Sequence, residues 1–167
     1  MTAAAVPVLR RPEHQVDQRA VRYWTVRALT GWLAVAAVQI LWLVLDGGAG
    51  AGAHAAGLAV TAVAGTLHTL VMPRWRYRVH RWEMAPEALY TQTGWLVEER
   101  RIAPVSRIQT VDTRRGPLEQ TFGLMNVTVT TASAAGPLVI QGLEHETALR
   151  IVAELTERAR VTEGDAT

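Results

Sequence analysis

From Ala28 to Met72 the chain holds no arginine and one acidic side chain, Asp46. Two apolar segments, 28–45 and 55–72, flank a glycine-rich break at 47–52. Crossing a hydrocarbon core takes about 20 predominantly apolar residues, and each segment is close to that length. The first, with Leu29, Leu33, Val35, Val38, Ile40, Leu41, Leu43, Val44 and Leu45, is favoured in lipid by roughly 3 to 5 kcal/mol before the cost of Gln39. The second is richer in alanine and glycine and inserts with the help of the first. The segments therefore predict a membrane-spanning helical hairpin. A soluble core hairpin would need a polar face on each helix, and neither segment has a charged one. A cleaved signal peptide is not expected, because the apolar run starts far from Met1 and is too long.

Arginine sets the orientation. Arg10, Arg11, Arg19, Arg22 and Arg27 precede the hairpin, Arg74, Arg76, Arg78 and Arg81 follow it, and the loop 46–54 has no basic residue. The positive-inside rule places both termini in the cytoplasm and the loop outside. Tyr23, Trp24, Trp75 and Tyr77 flank the hairpin as interfacial anchors. Gly57, Thr61 and Gly65 recur every fourth residue, so they share a helix face that admits a close neighbour; His68 falls on the same face. An intramembrane histidine can be a proton or ligand site. With no carboxylate near it, His68, like Gln39, is expected to hydrogen-bond between helices.

The hairpin region, 18–73, divides the chain into four parts. Residues 1–17 read as a flexible arm and 161–167 as a disordered tail. Residues 74–160 form one small domain of short alternating segments. Strands are expected at 76–84, 89–93, 95–103, 108–113, 125–131 and 137–141, with turns at Ala85-Pro86-Glu87 and Arg115-Gly116-Pro117 and a loop or short helix at 117–122. Turn signals at this frequency predict a small antiparallel barrel or sandwich. A helix at about 145–160, with Ala148, Ile151, Val152, Leu155 and Ala159 on one stripe, closes it.

Several function classes are excluded or weakened. There is no cysteine, so disulfides, thiolate metal sites and cysteine nucleophiles are ruled out. All 17 basic positions are arginine, which with abundant alanine and glycine reads as genome composition. His80 and His145 lack metal-ligand spacing, and adjacent Glu98 and Glu99 point to opposite faces of a strand. No catalytic, cofactor or metal site is expected, and the chain does not read as an enzyme. Nucleic-acid binding is disfavoured because the aromatics gather near the hairpin and not among the arginines.

One set of residues matches a known pattern. Arg101, Ile102 and Pro104 lead into Arg107-Ile108-Gln109-Thr110-Val111. Gly116-Pro117-Leu118, then Phe122-Gly123-Leu124, then the Val/Thr strand 127–131 follow. This resembles the bacterial membrane-flanked domain, a PH-like module, in its YdbS-like form with two transmembrane helices before one domain. The resemblance covers roughly 18–160. It implies a seven-stranded bent sheet capped by a C-terminal helix. Six strands are legible, so the seventh is expected within 95–107. It also implies a companion, a larger membrane protein with several such modules, and leaves self-association open. The motif residues Pro104, Arg107, Ile108, Gln109, Gly116, Pro117, Leu118, Gly123 and Leu124 read as structural: Ile108 packs inward, Gln109 satisfies loop backbone, and Phe122 and Leu124 seal the barrel.

Two functions compete. In the first, the domain is a protein-interaction scaffold at the inner membrane face. In the second, it senses anionic lipid or envelope stress, with Arg76, Arg78, Arg100 and Arg101 as the headgroup site, joined by Arg107, Arg114 and Arg115.

Overall fold

The computed structural model describes residues 11–133 and 136–164. The chain forms two compact units, one of Val21–Trp75 and one combining Met1–Ala20 with Arg76–Thr167.

The first unit is the hairpin. Helix α1 spans Arg19–Leu45 and α2 spans Ala51–Val79, and both are long and apolar enough to cross a membrane. Their outward side chains are uncovered: Leu33 is 60% exposed, Val38 65%, Val60 68% and Leu67 58%. Faces this apolar and this exposed are stable in lipid and not in water, which disposes of the soluble-hairpin alternative. Between the helices, Gln39 Nε2 donates to Thr61 Oγ1 at 2.9 Å, and Trp32 Nε1 donates to His68 Nδ1 at 3.1 Å. Gly65 faces Trp32 so closely that a Cβ there would lie 3.0 Å from the indole Cγ. Thr61, Gly65 and His68 thus meet α1, whereas a Cβ at Gly57 would meet nothing within 4 Å. Of the expected aromatic anchors, Trp75 is exposed, but Tyr23 and Trp24 are buried.

The second unit is antiparallel. Strands β1 (His14–Gln15), β2 (Arg81–Met84), β3 (Ala88–Gly94) and β4 (Glu98–Pro104) form one sheet in that order. Strands β5 (Ile108–Arg114), β6 (Leu124–Thr131) and β7 (Leu138–Glu144) form the other. A 3-10 turn, Val105–Arg107, joins the sheets, a short helix α3 (Pro117–Thr121) joins β5 to β6, and α4 (His145–Gly164) follows β7. Seven strands and a C-terminal helix are the PH-like architecture the resemblance implied.

The core lies between the sheets and α4. Val127 and Val129 alternate inward on β6, Leu138 and Ile140 on β7, and Ala148, Ile151 and Leu155 line the buried stripe of α4. Each large side chain among them contributes about 1.5–3 kcal/mol by leaving water. Leu124 is fully buried at the start of β6, while Phe122 is half-buried. Gly123 ends α3 at φ +68, a conformation that favours glycine, and its N–H donates to the Gln120 carbonyl at 3.1 Å.

Four expectations change. The missing strand is β1, not a segment within 95–107. It sits in the arm read as flexible, and the whole hairpin separates it in sequence from its partner β2, so His14 pairs with Trp82 and Gln15 with Arg81. The arm is further tied down by Asp17, whose N–H donates to the Gly142 carbonyl at 2.9 Å and whose carboxylate accepts the Arg19 N–H at 2.7 Å, capping α1. The remainder of the arm, 1–10, lies outside the described residues. The strand expected from 76 begins at Arg81, because α2 continues through Pro73 to Val79; the Arg74 guanidinium binds the Leu70 carbonyl at 2.6 Å. Helix α4 runs to Gly164, into the segment read as a disordered tail, of which 165–167 lie outside the described residues.

Candidate functional site

Strand alternation puts residues i and i+2 on one face. On β3 this pairs Thr91 with Thr93, on β4 Glu99 with Arg101, and on β7 Val139 with Gln141. Register then places Thr91 opposite Arg101 and Thr93 opposite Glu99. These six side chains, with Arg76 from the last turn of α2 and His80 just after it, line a cleft of about 210 Å³. The site is mostly polar although it sits between two sheets.

Its hydrogen bonds form two arms. On one, the Arg76 guanidinium donates to Gln141 Oε1 and, at 3.4 Å, to His80 Nε2. His80 Nδ1 and the His80 backbone N–H both approach the Arg76 carbonyl at 2.9 Å. With Nε2 accepting from Arg76, Nδ1 carries the proton and the imidazole is neutral. Burial first, and then the Arg76 charge, pull the His80 pKa from its ordinary 6.5 to about 4, against the opposing effect of the backbone hydrogen bond. On the other arm, Arg101 Nε donates to Glu99 Oε1 at 2.7 Å and Nη1 donates to the Pro137 carbonyl at 3.1 Å. With His80 neutral, the lining carries two guanidinium charges against one carboxylate, a net positive cleft.

Of the four arginines proposed for a headgroup site, only Arg76 and Arg101 meet here. Arg100 lies on the opposite face of β4 with Glu98, 3.5 Å away. Arg78 is exposed on α2, and its backbone carbonyl accepts from Arg11 at 3.0 Å. Arg107 is exposed at the end of the 3-10 turn, Arg114 is exposed on β5, and Arg115 is bound to the Leu124 carbonyl at 3.1 Å. Sequence reasoning missed Thr91, Thr93, Glu99, His80 and Gln141 as members of one site. The signal available was polar residues two apart on neighbouring strands, but register and the partner sheet are needed to bring them together.

The motif residues divide in two. Gly116 precedes α3 with Pro117 at its first position, where a missing N–H costs nothing. Gly123 and Leu124 shape and bury the start of β6, and Ile108 is half-buried. Pro104, Arg107 and Gln109 are exposed, and Leu118 is 38% exposed. Gln109 therefore faces solvent on β5, and the core does not account for it. β5 itself is a sheet edge that pairs with β6 alone among the described strands. Among the described residues no three His, Asp or Glu side chains converge in a way that could hold a metal ion.

Comparison with known proteins adds two findings. A family model described as "Bacterial PH domain" matches residues 25–159. The "UPF0699 transmembrane protein YdbS" of Bacillus subtilis (strain 168) is 34% identical over 107 residues, which cover 64% of this chain and 66% of that protein, slightly under two thirds of its length. No solved structure matches the chain.

Proposed function

The chain belongs to the bacterial PH domain family, in its YdbS-like form, and for a membrane protein of that kind we propose a non-catalytic role: the PH-like unit is a docking module held at the cytoplasmic face of the cell membrane. Its partner is another membrane protein carrying modules of the same family. The observation that supports this reading is the β5 edge, where Arg107 and Gln109 stand exposed beside an unpaired strand flank. An open edge can add a strand from a partner, backbone hydrogen bonds supplying affinity and flanking side chains supplying choice. The test is co-purification of the full-length chain from detergent with a tagged companion protein. Stoichiometric recovery that is lost in R107A/Q109A, with the thermal midpoint unchanged, supports docking through this edge. Equal recovery by both proteins removes it.

A second reading, anionic-lipid binding with a role in sensing the state of the envelope, is favoured by one specific observation: Arg76 and Arg101 face the same cleft. Short-chain phosphatidylglycerol added below its micelle concentration should raise the thermal midpoint of the detergent-solubilised chain, and R76Q/R101Q should abolish that rise. No rise with the unmodified chain excludes this reading.

A further inference from the structure

The Arg76–Arg101 cleft has a chemistry that docking through β5 does not use. Its walls come from the end of α2, β3, β4 and β7, and they enclose about 210 Å³. Among the described residues that line it, Arg76, Arg101 and Glu99 are charged and His80 is the remaining titratable group. Both guanidiniums are positioned by neighbours: Arg76 by Gln141 Oε1, and Arg101 by Glu99 Oε1 at 2.7 Å and the Pro137 carbonyl at 3.1 Å. Planar guanidiniums held in place suit oxyanions, and the Thr91 and Thr93 hydroxyls, on one face of β3, add neutral donors. His80 ties the charge of the cleft to protonation. Its Nε2 meets Arg76 Nε at 3.4 Å, and its Nδ1 lies 2.9 Å from the Arg76 carbonyl. A proton on Nε2 would aim one cationic N–H at another, on a residue only 2% exposed. An oxyanion against both nitrogens reverses that cost, because it accepts from Arg76 Nε and from a protonated Nε2 alike.

From this geometry we propose that the cleft is a proton-coupled site for a phosphate-class dianion: the anion contacts Arg76 and Arg101, and its arrival places a proton from solvent on His80 Nε2. With His80 charged, three cations face the Glu99 carboxylate, an excess that matches two negative charges and not one. The proposal rests on the second reading above, that this cleft takes an anion, and adds the charge of the ligand and the residue that answers it. His80 titrates near 4 with no anion beside it. A dianion in contact raises that value by about 1–3 pH units. For a rise of about 2, affinity is level above about pH 7 and about tenfold higher by about pH 5.

Sulfate is the probe, because it stays doubly charged across this range and adds no titration of its own. The full-length chain, in an uncharged detergent free of other oxyanions, is titrated calorimetrically at about pH 7.5 and about pH 5, each in two buffers of different ionisation heat. Expected are about tenfold tighter binding at the lower pH and uptake of most of one proton per sulfate there. R76Q/R101Q should bind no sulfate. H80Q retains Glu99, and the ratio of its affinities at the two pH values should fall to near one, whatever its affinity at either. Equal affinity of the unmodified chain at the two pH values overturns the proposal. So does an H80Q ratio that matches the unmodified chain, or binding that survives in R76Q/R101Q. Imidazole proton resonances of the unmodified chain, with the His80 signal assigned by its loss in H80Q, read the same coupling without a double variant. Sulfate should move the His80 midpoint upward from about 4, and an unmoved midpoint overturns the coupling. Glycerol phosphate and short-chain phosphatidic acid below its micelle concentration, each competing with sulfate, separate a soluble ester from a lipid headgroup; displacement by neither overturns the phosphate class. If phosphatidylglycerol raises the thermal midpoint but sulfate brings no proton, the coupling fails and the lipid reading stands; if neither anion binds, both fail.

Discussion

His80 is a neutral histidine held where a charged one does not fit, and its protonation should loosen the β-rich unit. It is 2% exposed, its Nε2 faces Arg76, and its pKa lies near 4 in place of 6.5. The folded value is below the unfolded one, so under acid the unfolded chain binds the extra proton more readily. Stability from this group is therefore level above pH 6.5 and falls as pH drops toward 4. At about 1.4 kcal/mol per unit the full loss is about 3 kcal/mol, most of it gone by about pH 4.5. For a unit of this size that corresponds to a fall of about 10 °C in the thermal midpoint. The assay is a melt of the full-length protein in mild detergent at about pH 7.5 and about pH 4.5, alongside H80Q; groups common to both proteins cancel in the difference. The wild type should lose about 10 °C more than the variant between the two pH values. Parallel losses in the two proteins would refute the argument that burial and Arg76 keep this imidazole neutral.

Other expectations follow from packing. Leu155 has no exposed surface on α4, so L155A should cost about 2–5 kcal/mol, read as a lower midpoint in the same melt, whereas a change under about 0.5 kcal/mol would mean that α4 does not seal the core. In the hairpin, G65L drives a side chain into the Trp32 ring, already 3.0 Å from an ideal Cβ, and should lower hairpin stability, with W32A in the same chain restoring part of it; a gain of about 1 kcal/mol, as helix propensity alone gives, would show that the helices are not in contact there. Replacing the Gln39–Thr61 pair by leucine and valine removes interhelical hydrogen bonds of 2.9 and 3.1 Å and should change stability by only about 0.6–2 kcal/mol, since partners in lipid are modest in value.

Local chemistry made much of this protein legible. Uncharged length marked the two helices, alternation at Val127 and Val129 marked β6, and the 3.6 period of Ala148, Ile151 and Leu155 marked α4 and its buried face. The failures occurred where structure depends on partners far away in sequence. β1 is only two residues long, too short for any period, and exists because β2 offers it an edge across the intervening hairpin. α2 outruns its apolar part because its final turn is held by arginine and histidine contacts at Leu70, Gln141 and Arg76, not by lipid. The cleft was the least legible part: its members come from three strands and a helix end, each polar residue reads alone as a solvated surface, and only the register of β3 with β4 sets Thr91 against Arg101. Strand alternation separates Arg100 from Arg101, which a charge count along the chain does not.

The exposed apolar faces of α1 and α2 require a bilayer around them. Membranes from cells expressing the full-length chain are washed in alkaline carbonate, which strips peripheral proteins, and sedimented at high speed. The chain should remain in the pellet and leave it only on addition of detergent. Recovery in the carbonate supernatant would contradict the account, because the exposed Leu33, Val38, Val60 and Leu67 would then have to be covered by something other than lipid.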